Sequence, residues 1–125
     1  MRVMIVDDSS DVRQLIRETL APWNHEIIEC ADGDEAVERY SEFLPDWTLM
    51  DFRMPRTDGL TAIRHLRDRW PSARILLLTS YDSAPVRKEA LRLGASSCLS
   101  KDRIYELPEC LGDVLHPPAP GPIDP

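Results

Sequence analysis

The chain has 125 residues, of which 42% are hydrophobic, so it is long enough for one domain with a buried core and too short for two. Its 22 acidic residues outnumber its 15 basic residues, and the net charge of −7 disfavours binding to nucleic acid or to an anionic membrane. No apolar run reaches the roughly 18 residues that a membrane-spanning helix needs, and the sequence begins with a strand-like pattern rather than a cleavable leader. We therefore expect a soluble cytoplasmic protein.

Five short apolar runs along the chain predict five β-strands. They lie at 3–6, 26–30, 47–50, 75–78 and 97–99. The first and fourth runs are continuously apolar rather than alternating, as in strands that are covered on both faces.

Segments with helical periodicity separate these runs. Each has apolar residues on one helical face: Val12, Leu15, Ile16, Thr19 and Leu20; Ala36, Val37, Tyr40, Phe43 and Leu44; Leu60, Ile63, Leu66 and Trp70; and Val86, Ala90 and Leu93. Ser83 is placed to cap the fourth helix and Gly94 to end it. A fifth helix should start near Pro108, which cannot lie in a helix interior, and end around Leu115 after roughly two turns.

The repeated strand–helix order predicts an α/β fold with a doubly wound, five-stranded parallel sheet. The flavodoxin-like strand order 2-1-3-4-5 is the commonest small solution with right-handed crossovers. We place this domain at residues 1–115. Residues 116–125 read HPPAPGPIDP, which predicts a disordered or extended tail, or the stub of a linker.

Three carboxylates follow the predicted strands at one edge of this sheet. Asp7 and Asp8 follow the first strand and Asp51 follows the third, which is its neighbour in the predicted order. At about 6 Å and an effective dielectric of about 20, each pair would repel by roughly 3 kcal/mol before solvent screening. A divalent cation would offset this repulsion, and the all-oxygen ligand set favours Mg²⁺ over Zn²⁺.

Three further polar groups follow the last two predicted strands at the same edge. The fourth run leads into the hydroxyls of Thr79 and Ser80, and the fifth leads to Lys101. A metal ion, a hydroxyl and an ammonium group around one carboxylate suit three phosphoryl oxygens. The pattern therefore predicts that Asp51 is a nucleophile that forms an aspartyl phosphate.

The ordered set of motifs resembles the response-regulator receiver domains of two-component signalling, the CheY-like family. The resemblance covers residues 2 to about 115 and rests on VDDS (6–9), ADGDEA (31–36), MDFRMPRTDGL (50–60), LLLTSYD (76–82) and LGASSCLSKD (93–102). The LTSYD and KD signatures look most like receivers whose subfamily carries a C-terminal helix-turn-helix effector. The function implied is a phosphorylation-dependent switch.

The resemblance also implies a role for each matching residue. Asp51 would be the phosphoacceptor, Asp8 a direct Mg²⁺ ligand and Asp7 a ligand acting mainly through water. The backbone carbonyl of Arg53 would complete the protein's share of the metal shell. Asp51, Thr79 and Lys101 would form the catalytic group, in which Thr79 senses the phosphoryl group and Lys101 pairs with it.

Three positions next to this group bear on the switch. Receivers commonly carry Tyr or Phe three residues before the lysine, where this chain has Cys98, so we expect a smaller or different response on the fourth-helix face. Arg53 and Tyr81 stand two residues after Asp51 and Thr79. At these positions they would shield the phosphoryl group from water and slow its loss.

The implied partners are a sensor histidine kinase as donor and an effector domain or target protein as recipient of the signal. A homodimer formed on phosphorylation is a further option, which the short fifth helix puts in doubt. The chain would not be a conventional enzyme, although it would catalyse its own phosphorylation and dephosphorylation. We expect His25, His65 and His116 to be exposed, and none has the context of a phosphotransfer histidine.

Two other function classes stay open. A pseudo-receiver would be a constitutive interaction module that no longer accepts phosphate. Cys98 leaves this alternative open, because it replaces the aromatic residue of the switch. A hydrolase acting through an aspartyl phosphate would need a carboxylate as general acid where this chain has Arg53. A Rossmann-type nucleotide site is unsupported, because no GxGxxG follows the first strand.

The cysteines give no sign of a disulfide framework or a zinc cage. Cys30, Cys98 and Cys110 are odd in number and form no CxxC pair. We expect all three to be small buried side chains, and Cys98 to fill space rather than to sense redox state.

Overall fold

The computed structural model describes residues 1–81 and 83–113. The five strands are β1 (Arg2–Val6), β2 (Glu26–Cys30), β3 (Trp47–Asp51), β4 (Ile75–Thr79) and β5 (Ser97–Ser100). The five α-helices are α1 (Ser10–Leu20), α2 (Gly33–Phe43), α3 (Gly59–Arg69), α4 (Ala84–Leu93) and α5 (Leu107–Cys110). Short 3-10 segments lie at Ala21–Trp23 and Lys101–Glu106. Strands and helices therefore alternate as the sequence predicts.

The strands form one parallel sheet in the order β2-β1-β3-β4-β5, which confirms the predicted α/β fold. Val6 of β1 is in register with Met50 of β3. The next residues along these two strands, Asp7 and Asp51, therefore emerge side by side at the carboxyl edge of the sheet. This register brings the predicted acidic residues together.

Both faces of the sheet are covered, which explains the continuous apolar runs. Met4 and Val6 of β1 belong to the core under α2, α3 and α4, whereas Val3 and Ile5 face the core under α1 and α5. All four side chains are at most 1% exposed. Burial of each such side chain favours folding by roughly 1.5–3 kcal/mol, so the sheet is a rigid base for the loops at its edge.

Side-chain caps begin four of the helices. Ser9, Asp32, Asp58 and Ser83 each accept a hydrogen bond from the backbone amide three residues further on. These bonds satisfy amides in the first turn that have no partner within the helix. Gly94 ends α4 at a φ of 118°, in the left-handed region that glycine tolerates best. The predicted roles of Ser83 and Gly94 are confirmed.

The fifth helix is shorter than the sequence predicts. It begins at Leu107, beside Pro108 as expected, but it ends at Cys110. Gly112 then has a φ of 83°, so the chain leaves the helical conformation soon after α5. The predicted end near Leu115 and the predicted tail at 116–125 lie outside the described residues.

Two leucines predicted on buried helical stripes are exposed. Leu15 is 46% exposed on α1, and Leu44 is 60% exposed just after α2. Leu44 has a φ of 49° as the C-cap of α2, so its side chain leaves the helical face that the periodicity assigned to it. The apolar stripe of α2 therefore ends at Phe43.

The prediction that His25 is exposed is wrong. Its side chain is only 4% exposed, and its Nε2 lies 2.9 Å from Asp113 Oδ2. The partners are 88 positions apart in the sequence, because the chain after α5 returns to the start of β2. His65 is exposed as predicted, and His116 lies outside the described residues.

The cysteines differ from one another in burial. Cys30 is 1% exposed, and burial raises the pKa of its thiol to about 12. Cys98 and Cys110 are only partly buried, so the prediction of full burial is wrong for these two. None of the helices in residues 1–81 and 83–113 is long and apolar enough to cross a lipid bilayer.

Candidate functional site

Three carboxylates converge at the carboxyl edge of the sheet. Asp7 is 2% exposed and Asp51 is 7% exposed, whereas Asp8 faces solvent. One oxygen from each lies within 4.8 Å of the others. The structure therefore brings together the three acidic residues that the sequence predicted as a cation site.

Lys101 reaches this cluster from the end of β5, which lies two strands away from β3. Its Nζ lies 3.0 Å from Asp7 Oδ2 and 2.9 Å from Asp51 Oδ1. The side chain is 21% exposed, so the ammonium group reaches the pocket from its rim. The sequence placed Lys101 near Asp51 but did not predict its second ion pair, with Asp7.

Burial and charge act in opposite directions on Asp51. Burial raises the pKa of its carboxyl group, the hydrogen bond from Lys101 lowers it, and the nearby charge of Asp7 raises it again; the net direction is upward. Burial also disfavours the charged form of Lys101, but its bonds to Asp51 and Asp7 outweigh this and raise its pKa. Lys101 is therefore a permanent cation that offsets part of the acidic charge.

Asp7 is held by contacts to its side chain and to its backbone. The amide of Ser9 donates to Asp7 Oδ1 at 2.8 Å, and Arg13 Nη1 donates to the Asp7 carbonyl at 2.6 Å. Arg13 Nε also donates to Glu29 Oε1 at 2.8 Å. Arg13 and Glu29 are not among the predicted site residues, because an arginine on a helix and a glutamate in a strand give no signal of a shared contact.

Residues at the ends of the neighbouring strands β3 and β4 contact one another. The buried Thr79 Oγ1 accepts a hydrogen bond from the amide of Tyr81 at 2.8 Å, which leaves its hydroxyl hydrogen to be donated. The guanidinium carbon of Arg53 lies 4.0 Å from the centre of the Tyr81 ring. The rings of Tyr81 and Phe52 are 6.1 Å apart. Arg53 and Tyr81 thus contact each other just beyond the ends of β3 and β4.

The ligand set suits a hard cation. Asp7, Asp8 and Asp51 offer only carboxylate oxygens, which Mg²⁺ prefers, and Zn²⁺ would favour nitrogen or sulfur ligands. Two of these carboxylates are buried next to each other, so a divalent cation would relieve a real repulsion.

A family model for the response regulator receiver domain matches residues 3–110. The chain belongs to this family. This receiver domain is 36% identical over 117 residues to the chemotaxis protein CheY of Halobacterium salinarum, covering 91% of this chain and 96% of that protein. It is 38% identical over 114 residues to the response regulator MprA of Mycobacterium leprae, covering 91% of this chain but only 49% of MprA.

Solved structures agree with this assignment. The BeF3-activated receiver domain of Klebsiella pneumoniae RstA superimposes with a TM-score of 0.79 at 31% identity, covering 89% of this chain and 98% of that one. The receiver's resemblance to CheY-like proteins, predicted from its motifs, is therefore confirmed. Its relatives include both CheY proteins of similar length and longer regulators.

Cys98 lies outside the acidic cluster of the receiver, on the strand that faces α4. Its Sγ lies 3.9 Å from the carbonyl oxygen of Arg87, and Arg87 Nη1 donates to the carbonyl of Cys98 at 3.3 Å. Cys98, at the position where receivers commonly carry Tyr or Phe, thus links β5 to α4 through reciprocal contacts with Arg87. The sequence identified the position but not this link.

The receiver also contains a contact between the β3–α3 loop and the start of α2 that the sequence does not predict. Thr57 Oγ1 donates to Asp34 Oδ1 at 2.5 Å, and Arg56 Nη2 lies 3.1 Å from Asp32 Oδ2. These pairs join the β3–α3 loop to the start of α2. The ADGDEA motif contains the acidic residues Asp32 and Asp34, but its spacing does not show that they bind Arg56 and Thr57.

Proposed function

We propose that this receiver is a phosphorylation-controlled switch that accepts a phosphoryl group on Asp51 in a Mg²⁺-dependent reaction. The single observation that carries the proposal is the meeting of Asp51 with a second buried carboxylate, Asp7, and with the ammonium group of Lys101. The paired carboxylates favour the binding of a dication, and the ammonium group favours the acceptance of a negatively charged group.

The transfer forms one bond and breaks one. An oxygen of Asp51 attacks the phosphorus of the donor, and the bond from phosphorus to the leaving group breaks, with its electron pair staying on the leaving group. Lys101 lies beside Asp51 Oδ1 and can pair with a phosphoryl oxygen after transfer. Thr79 can donate its hydroxyl hydrogen to another.

Asp8, Asp51 and the Arg53 carbonyl would hold the metal directly, and Asp7 would act mainly through water. When bound, Mg²⁺ supplies positive charge that lowers the repulsion between the incoming phosphoryl group and the carboxylates. The exposure of Asp8 supports its role, because a ligand at the solvent side leaves an entry route for the hydrated cation.

The proposed phosphoryl donor is a sensor histidine kinase or a small phosphodonor. The proposed recipient of the signal is an effector domain or a target protein, and a phosphorylation-induced homodimer is the alternative outcome. A cytoplasmic location stays a prediction. The chain would catalyse its own phosphorylation and the later hydrolysis of the aspartyl phosphate.

A pseudo-receiver is the second candidate function. It is favoured by Cys98, which replaces the usual aromatic side chain and connects β5 to α4 through Arg87. In that case the fourth-helix face would bind its partner without phosphorylation.

Intact mass separates these candidates. The native chain and Asp51→Asn are incubated with Mg²⁺ and acetyl phosphate, and Asp68→Asn, an exposed charge change on α3, serves as the matched control. We expect the native chain and the control to gain one phosphoryl group and Asp51→Asn to gain none. Chelation of Mg²⁺ should abolish the gain. An unmodified native chain would support the pseudo-receiver instead.

A further inference from the structure

The β3–α3 loop, residues 52–58, starts directly after Asp51 and closes on itself beside it. The amide of Gly59 donates to the carbonyl of Phe52 at 2.8 Å. A Cβ on Gly59 would lie 2.0 Å from the carbonyl oxygen of Asp51, so only glycine permits this approach. The two ends of the loop, at Phe52 and Gly59, are thus packed together against the backbone of Asp51.

Arg56 and Thr57, near the end of the loop sequence, contact the start of α2. Thr57 Oγ1 donates to Asp34 Oδ1 at 2.5 Å, and a Cβ on Gly33 would lie 3.0 Å from the Thr57 carbonyl oxygen. Arg56 has a φ of 66°, a left-handed conformation that costs free energy in a residue other than glycine or asparagine. Outside contacts are therefore needed to keep the loop in this shape.

We propose that Asp34 and Thr57 are positioning residues that set the affinity of the receiver for its divalent cation. This inference rests on the proposed function, because the loop they hold carries the Arg53 carbonyl that is the proposed metal ligand. Neither side chain has to touch the cation. Their hydrogen bond limits the loop to the conformation in which it turns back beside Asp51.

The hydrogen bond between Thr57 and Asp34 should carry more of this effect than the neighbouring ion pair. The Arg56 side chain is 72% exposed, so its pairing with Asp32 is largely screened by solvent. The Thr57 hydroxyl donates to a carboxylate at a partly buried position, which makes a stronger bond. Asp32 also caps α2, so replacing it would change the helix as well as the loop.

The test compares three threonine variants of the full chain. Thr57→Val removes the hydroxyl with little change of shape or charge, and Thr57→Ser restores the donor. Thr61→Val makes the same change at an exposed position of α3 and is the matched control. Isothermal titration calorimetry gives the Mg²⁺ dissociation constant, and the melting temperature without Mg²⁺ reports folding.

We expect Thr57→Val to raise the Mg²⁺ dissociation constant by about tenfold, as is typical when a group that supports a metal ligand is removed. Thr57→Ser and Thr61→Val should bind like the native chain. At saturating Mg²⁺ the phosphorylation rate of Thr57→Val should approach the native rate, because the defect lies in binding. Asp34→Asn, which keeps an acceptor oxygen but loses the charge, should weaken binding less than Thr57→Val.

Two results would overturn the inference in different ways. Native Mg²⁺ affinity in Thr57→Val and Asp34→Asn would remove the positioning role while leaving the proposed function in place. Absence of Mg²⁺ binding in the native chain would remove both. If Thr57→Val does not fold, Asp34→Ala, which removes the acceptor, takes its place, and native affinity in that variant would reject the inference.

Discussion

Lys101 Nζ lies 2.9 Å from Asp51 Oδ1, although Asp51 ends β3, Lys101 directly follows β5, and β4 lies between these two strands. The ammonium group is thus a positive charge next to a carboxylate of the proposed Mg²⁺ site. Lys101 therefore has two opposite effects, because it stabilises negative charge on Asp51 and repels an incoming Mg²⁺.

Replacing Lys101 should separate these effects. In Lys101→Met we expect Mg²⁺ to bind more tightly, by roughly fivefold or more, because a positive charge beside the site is lost. Phosphorylation by a small donor should nevertheless slow by at least about tenfold, because a preorganised cation beside the transferred group is missing. Calorimetry and intact mass measure the two quantities. Lys88→Met, on the exposed face of α4, is the control, and weaker Mg²⁺ binding in Lys101→Met would contradict the argument.

Tyr81 should slow the loss of the phosphoryl group. Tyr81 is 49% exposed and the centre of its ring lies 4.0 Å from the guanidinium carbon of Arg53, so we expect this pair to hinder the approach of water to a phosphorylated Asp51. We expect Tyr81→Ala to lose the phosphoryl group about two- to fivefold faster, the rate equivalent of one exposed cation–π contact. Decay of the phosphorylated mass after removal of the donor gives the rate. Tyr105→Ala, at a position 71% exposed, is the control, and equal decay in both variants would remove the claim.

Cys98 should limit how far the phosphorylated state spreads to α4. The reciprocal contacts of Cys98 with Arg87 join β5 to α4 without the aromatic side chain usual in receivers. With Mg²⁺ and beryllofluoride, we expect amide chemical shifts to change in α4, and to change more in Cys98→Tyr. If no amide beyond the metal site moves in either protein, the proposed response of the fourth-helix face is wrong.

Glu29 should stabilise the fold in a pH-dependent way. Burial would raise its pKa, but hydrogen bonds from Arg17 and Arg13 outweigh burial and lower it below the usual value of 4.5. A lowered folded-state pKa adds stability above the unfolded value, and this stability is lost as pH falls through the folded-state pKa.

In Glu29→Gln we therefore expect the free energy of unfolding to fall by about 1 kcal/mol at pH 7, because the ion pairs are partly exposed. The difference from the native chain should shrink as the pH drops below 4.5. Urea unfolding at several pH values measures it. Glu38→Gln, at an exposed position of α2, should show no such pH-dependent difference. A constant difference at all pH values would show that the charge of Glu29 is not the cause.

Much of the fold could be predicted because its signals are local. The apolar run of β1 and the capping serine Ser83 each act within a few residues, and both have the predicted role. The fifth helix was overestimated, because Gly112 ends the helical conformation before the expected terminus. His25 was misassigned, because its burial depends on Asp113 at the other end of the domain.

The same difference between local signals and distant contacts applies to the candidate site. The alternation of strands and helices predicts a parallel sheet, and every strand of such a sheet ends at the same edge. The sequence alone therefore placed at that edge Asp7, Asp8, Asp51, Thr79 and Lys101. This placement depends only on where each strand ends and not on the contacts that its side chains make.

The sequence by itself therefore determined the family, the sheet order and the set of residues at its carboxyl edge. Only the tertiary structure decided that Lys101 bridges Asp7 and Asp51, and that Thr57 binds Asp34. The physical reason is that strands and helices form from periodic patterns within one segment. Contacts between loops and side chains depend instead on distances between segments far apart in the chain, and no local pattern records those distances.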